Sequence, residues 1–172
     1  MIDQSINNID KLLELLTNNK DGYYIEQKSI SSKEEVNGHT IYSKYKFFNK
    51  KITPTLLKQH LYKDINLAIS LTNYKAMAFE YSGKYRDAFI MLLKYFFKEE
   101  GYNNLYITTL NNQKIVVYIE VNLKNRDDFI KLEKKINKKL SQKLTKEWRV
   151  IPNFLRPDIG NLLELPREYI EW

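Results

Sequence analysis

Two hydrophobic periods alternate along the chain, and their order predicts its elements. Residues 5–16 place Ile6, Ile9, Leu12, Leu13 and Leu16 on one helical stripe. The turn "NNKDGYY" follows. "YYIEQ" and "HTIYSKYKFF" then read as strands, separated by a polar loop from Ser29 to Gly38. "KITPTLLKQHLYKD" predicts a short helix, because Thr53 can cap it and Pro54 suits its first position. "INLAISLT" alternates strictly, and "TNYK" leads on to "YKAMAFEYSGKY". Residues 65–72 and 75–81 are therefore expected to form a hairpin.

After Gly83 the period changes. Tyr85, Phe89, Leu92, Leu93 and Phe96 predict a buried helical stripe, with Gly101 just past its end. "NLYITTL" and "KIVVYIEV" read as strands of a second hairpin joined by "NNQ". "NRDDFIKLEKKINKKLSQKL" is the clearest helix, with Phe129, Leu132, Ile136, Leu140 and Leu144 on its apolar side. Asp127 and Asp128 stand in its first turn, where the helix dipole favours acids. "EWRVIP" predicts a last strand before an irregular tail rich in apolar anchors.

From residue 75 the order is β-α-β-β-α-β, that of a ferredoxin-like sheet with helices on one face. The expected architecture is a single α+β domain over 1–172. It has an N-terminal helix and strands over 1–52 and a core and tail over 53–172, the core being extended by the hairpin strand 65–72. In this arrangement 75–81 and 114–121 are taken as parallel neighbours. Met77, Phe79 and Tyr81 then face the helices, together with Ile115, Val117, Ile119 and Val121. Glu80, Glu120, Tyr106, Thr108, Val116 and Tyr118 share the open face, with the two acids near one end.

Composition sharpens this picture. Hydrophobic residues are 43% and charged residues 28% of 172, as in a soluble globular chain. The start "MIDQSINNIDKLLELL" has neither the basic region nor the cleavage site of a signal peptide, and no apolar run reaches membrane-spanning length. A cytoplasmic protein with no membrane association is expected. Without cysteine, thiolate metal sites and a cysteine nucleophile are excluded. Phosphate-loop, zinc-protease, nucleophile-elbow and dinucleotide signatures are absent. The histidines, His39 and His60, stand far apart, and a structural role is the expectation for His60.

The formal charge of +7 is concentrated. Residues 124–149 hold ten Lys/Arg against four Asp/Glu, so the remainder of the chain sums to +1. Localised charge of this kind points to a polyanion such as DNA or RNA. Lys131, Lys134, Lys135 and Lys138 are the candidate phosphate contacts, and Tyr106 and Tyr118 the candidate stacking groups. The same lysines also fit a solvated helix face. Glu80 and Glu120 could hold magnesium through oxygen ligands, as a weak metal-dependent enzyme acting on nucleotides would need, or be solvated strand ends. A protein partner on the N-terminal helix or the tail "ELPREYIEW" is the competing expectation.

Several stretches carry a family resemblance. "YKFFNKKITPTLLKQHLYKDINLAISL", "AFEYSG", "FFKEEGYNNLYITT", "LTKEWRVIPN" and "NLLELPREYI" together resemble a small family of uncharacterised proteins of epsilon-class proteobacteria, a bacterial domain of unknown function. The resemblance runs from about residue 40 onward and implies no activity. More distantly, "HLYKDINLAISLTNYKAMAFEYSG" resembles the first conserved block of archaeo-eukaryotic primase-polymerases, and "GNLLELP" a late block. There two acids flank one residue on the second strand of a hairpin. Here the positions are Glu80 and Ser82, and Val116 stands near the place of the phosphate-holding histidine. The resemblance thus implies a degenerate, non-enzymatic primase-like core, because one carboxylate and no histidine do not hold cations against a triphosphate.

Overall fold

Thr53 shows how closely some local signals are obeyed. In the computed structural model its side chain accepts from the Leu56 N–H at 3.3 Å, and Pro54 opens the helix α2, Pro54–Leu61. The structure describes residues 2–17, 22–71, 74–111 and 114–168, with side chains from Ile9 onward and excepting that of Asn111. The described chain is a mixed α+β fold of antiparallel sheets. It divides into two compact units, one from Met1–Thr72 with Pro152–Arg167, the other built on Asn73–Ile151. No shift of composition marks that division.

The first unit opens with α1, Ile2–Thr17. Leu12, Leu13 and Leu16 of its stripe are buried, so this part of the stripe packs within the protein and is not open to a partner. Ile6 lies outside the described side chains. A four-stranded sheet follows, in the order β10-β5-β1-β4. Its strands are β1 (Tyr23–Glu26), β4 (Tyr45–Phe48), β5 (Leu67–Ser70) and β10 (Leu162–Glu164). Tyr23 stacks on Phe48 across β1 and β4, with ring centroids 5.5 Å apart. On the opposite side of β1, Tyr24 and Ala68 form a small core with Ile159.

Three expectations fail here, the first for a local reason and the other two for a tertiary one. Residues 32–36 are a strand rather than a loop. β2 (Ser32–Val36) and β3 (His39–Ser43) form a separate hairpin, turning at Asn37 and Gly38, both at positive φ (52° and 78°). That is the Asn-Gly turn favoured by hairpin twist. The run "HTIYSKYKFF" breaks at Lys44 into β3 and β4, which join different sheets. The proposed hairpin 65–72/75–81 does not form, because β5 pairs with β1 and with the tail strand β10. The primase-like likeness of that stretch therefore lacks the hairpin on which it rests.

The second unit follows the expected order, with β6 (Ala76–Tyr81), α3 (Arg86–Glu99), β7 (Leu105–Asn111), β8 (Lys114–Glu120), α4 (Arg126–Ser141) and β9 (Trp148–Ile151). The sheet order is β7-β8-β6-β9, antiparallel throughout. The expectation of a parallel β6–β8 pair is corrected. A helical crossover from β6 keeps β7 in the same direction, and the β7–β8 hairpin then reverses it. As the alternation predicts, Phe79 and Tyr81 meet α3. Tyr81 stacks on Phe89 at 4.3 Å, and Phe79 meets Phe97 edge-on at 5.9 Å. Asn125 caps α4 by accepting from the Asp128 N–H at 2.9 Å, and Phe129, Leu132, Ile136 and Leu140 are buried.

Candidate nucleic-acid interface

The 3.6-residue period that buries Phe129, Leu132, Ile136 and Leu140 turns Lys131, Lys134, Lys135 and Lys138 to the other side of α4, where all four are exposed. They are not equivalent. Lys135 Nζ lies 2.7 Å from Glu100 at the end of α3, and the neighbouring Lys139 reaches Glu99 at 2.8 Å and Glu100 at 3.7 Å. Lys139 also sits 5.0 Å from the centre of the Phe96 ring. These contacts neutralise the seam between the two helices. The hydrogen bond to Glu99 raises the pKa of Lys139 and lowers that of Glu99. Lys131, Lys134 and Lys138 have no ion pair among the described residues. They stand at i, i+3 and i+7, about 10 Å from first to last along the axis.

The sheet residues proposed as partners to this face are placed otherwise. Tyr106 and Tyr118 lie directly opposite each other on β7 and β8. Tyr118 is fully buried and Tyr106 half-buried, so the Tyr118 ring does not offer a face to a base. Glu80 and Glu120 do share a face, but at opposite ends of the pair. Glu80 sits across from Val116 and Glu120 from Ala76. Four residues of strand set them about 13 Å apart along the ladder, whereas ligands of one cation lie within about 2.6 Å of it. The expectation of adjacent acids fails because the strands are antiparallel.

Each acid has another occupation. Glu80, nearly buried, lies across from Arg149 of β9, whose Nε and Nη2 both donate to its Oε2 at 2.8 Å. Glu120 accepts from Asn104 at 2.9 Å and from Asn122 at 3.0 Å. Among the described residues no group of three or more His, Asp or Glu is placed to hold a metal ion.

A second polar cluster belongs to the first unit. His60 is completely buried, and both of its ring nitrogens meet backbone. Nδ1 accepts from the Leu67 N–H at 3.1 Å, and Nε2–H donates to the Leu165 carbonyl at 2.9 Å. These partners fix the neutral tautomer, and burial, aided by the Arg167 charge, lowers the pKa. Arg167 donates to the carbonyls of His60 (3.0 Å) and Ile65 (3.3 Å), to Glu164 (2.7 Å) and to Asn66, which in turn donates to Glu26. Burial first, then Glu164 and Glu26, raise the pKa of the adjacent Tyr45. This cluster is internally satisfied and binds the tail to the first sheet.

The alternation overlooked the aromatic surface of α3. Tyr85, read as part of the buried stripe, is 54% exposed, as is Tyr95 at 59%. Ile90 and Phe97 are buried instead. Tyr95 stands two residues, about 200° of helix, beyond the buried Leu93, and that spacing is the signal that would have found it. Tyr85 is the cap residue before α3 and so escapes the helical period.

Residues 8–78 fit the model of a domain of unknown function (DUF1882). The matched stretch runs from α1 into the start of β6 and supports a domain-of-unknown-function family. It begins earlier than the resemblance read from residue 40 and leaves α3 and α4 outside. No curated protein matches the chain. No helix among the described residues is long and apolar enough to cross a membrane.

Proposed function

We propose that the exposed face of α4 is a nucleic-acid backbone contact in a non-enzymatic domain. The observation that carries this reading is the set of three exposed lysines on one stripe, without ion pairs among the described residues, beside two neighbours already neutralised by Glu99 and Glu100. Such a stripe attracts a polyanion through counterion release and carries no sequence information.

The test is fluorescence anisotropy with labelled DNA and RNA oligonucleotides across a salt series. Each phosphate neutralised contributes a log–log salt slope of about −0.9 on duplex DNA and about −0.7 on single strands. Replacing Lys131, Lys134 and Lys138 together by Gln should reduce the slope by about 2 to 3 on that basis. Lys135→Gln should change it less, because that charge is already offset. No binding at low salt, or a slope unchanged in the triple variant, rejects the proposal and leaves a protein-interaction module.

A further inference from the structure

We infer that the nucleic acid is single-stranded and that Tyr95, with Tyr85 at the N-cap of α3, is the platform on which its bases stack; this rests on the reading of the α4 face above. Exposure of a tyrosine alone would carry little in a chain that is 13% aromatic. Tyr95 is more than exposed. Its hydroxyl donates to the Glu99 carboxylate, which raises its pKa. Its ring meets Phe96 edge-on at 5.7 Å. The ring is thus fixed by contacts at its hydroxyl and at its body while remaining 59% exposed, which removes much of the ordering cost of stacking.

The same contacts tie the ring to the basic helix. Glu99, which holds the Tyr95 hydroxyl, is itself held by Lys139 of α4, and the next residue along α4 is the unpaired Lys138. Tyr85, the residue just before α3, stands ten residues ahead of Tyr95 in the chain, with Lys84 Nζ 4.9 Å from its ring centre. Aromatic faces beside unpaired cations are the two components of sequence-tolerant single-strand binding. A duplex hides its base faces and would use only the lysines. The charged Asp87 and Lys98, both exposed, interrupt the apolar outer surface of α3, which argues against a lipid surface as the ligand.

The decisive experiment measures anisotropy with a labelled 20-nucleotide single strand and with the same strand as duplex, for wild type, Tyr95→Ala, Tyr95→Phe, Tyr85→Ala and the triple lysine variant. Vesicles with and without anionic lipid run in parallel, and circular dichroism checks each variant's fold. Tyr95→Ala should weaken single-strand binding about 5- to 150-fold, the range found for loss of one stacked base. The salt slope and the duplex affinity should hardly change, and Tyr95→Phe should retain most of the affinity. Tyr85→Ala should give a smaller loss of the same kind. The inference is overturned if Tyr95→Ala leaves single-strand affinity intact while the lysine variant still loses it, or if duplex and single strand suffer equally. Binding to anionic vesicles stronger than to the oligonucleotide also overturns it. Absence of any salt-dependent binding in wild type would instead remove the underlying reading of α4.

Discussion

His60 provides the sharpest quantitative test of the fold. It is a buried imidazole whose two nitrogens satisfy a backbone N–H on β5 and a backbone carbonyl just after β10. In His60→Leu the Leu67 N–H and the Leu165 carbonyl both lose a partner in a site closed to water. A buried polar group left unsatisfied costs about 1–3 kcal/mol, so the pair should cost roughly 2–6 kcal/mol in all. With a urea m-value of about 1–3 kcal/mol per molar, the midpoint should fall by on the order of 1–3 M. Urea titration followed by circular dichroism measures this, and hydrogen exchange at the Leu67 amide localises it. His60→Gln retains a donor and an acceptor and should lose less. The pH dependence adds a second arm. The folded pKa of His60 is lowered, so between it and the ordinary value near 6.5 the unfolded chain binds more protons. Stability from this group is therefore complete above about 6.5 and is lost as pH falls through the folded pKa. His60→Gln should flatten that slope. A His60→Leu variant within about 0.5 kcal/mol of wild type, with Leu67 exchange unchanged, would refute the reasoning.

Further outcomes are expected elsewhere. Arg149→Ala leaves the nearly buried Glu80 without its partner and should destabilise by about 1–2 kcal/mol, less than a fully buried pair because Arg149 is partly solvated; chemical denaturation reads it. Gly83→Ala places a Cβ 2.3 Å from the Tyr81 hydroxyl, and that ring is pinned by stacking on Phe89. The cost should be about 1–3 kcal/mol, visible as a lowered thermal midpoint. Gly38→Ala meets no atom within 4 Å but must adopt φ +78°, so a loss of about 1 kcal/mol confined to hydrogen exchange of the β2–β3 hairpin is expected.

Elements whose signals are local were legible in the sequence. Thr53 with Pro54, the α4 stripe from Phe129 to Leu140 and the position of Gly101 depend on neighbours within a turn or two, and each is found where the pattern put it, whereas Leu144 lies past the end of α4. The exposed lysine face was legible for the same reason, since burying one side of α4 turns the other outward. The β2–β3 hairpin was also locally encoded, in Asn37-Gly38, but its polar strands concealed it from a reading based on hydrophobic alternation. Partner choice between strands was not legible. β5 alternates as a hairpin partner of β6 would, yet it pairs with β1 and with a tail strand more than ninety residues later. Long-range packing makes that choice, because period 2 fixes which residues share a face and leaves open which edge each strand meets. The acids illustrate the consequence. Glu80 and Glu120 were placed on one face correctly, but strand direction, set by one crossover and one hairpin, put them at opposite ends and gave Glu80 to Arg149. His60 likewise acquired its role from chain segments that meet it only in the folded state.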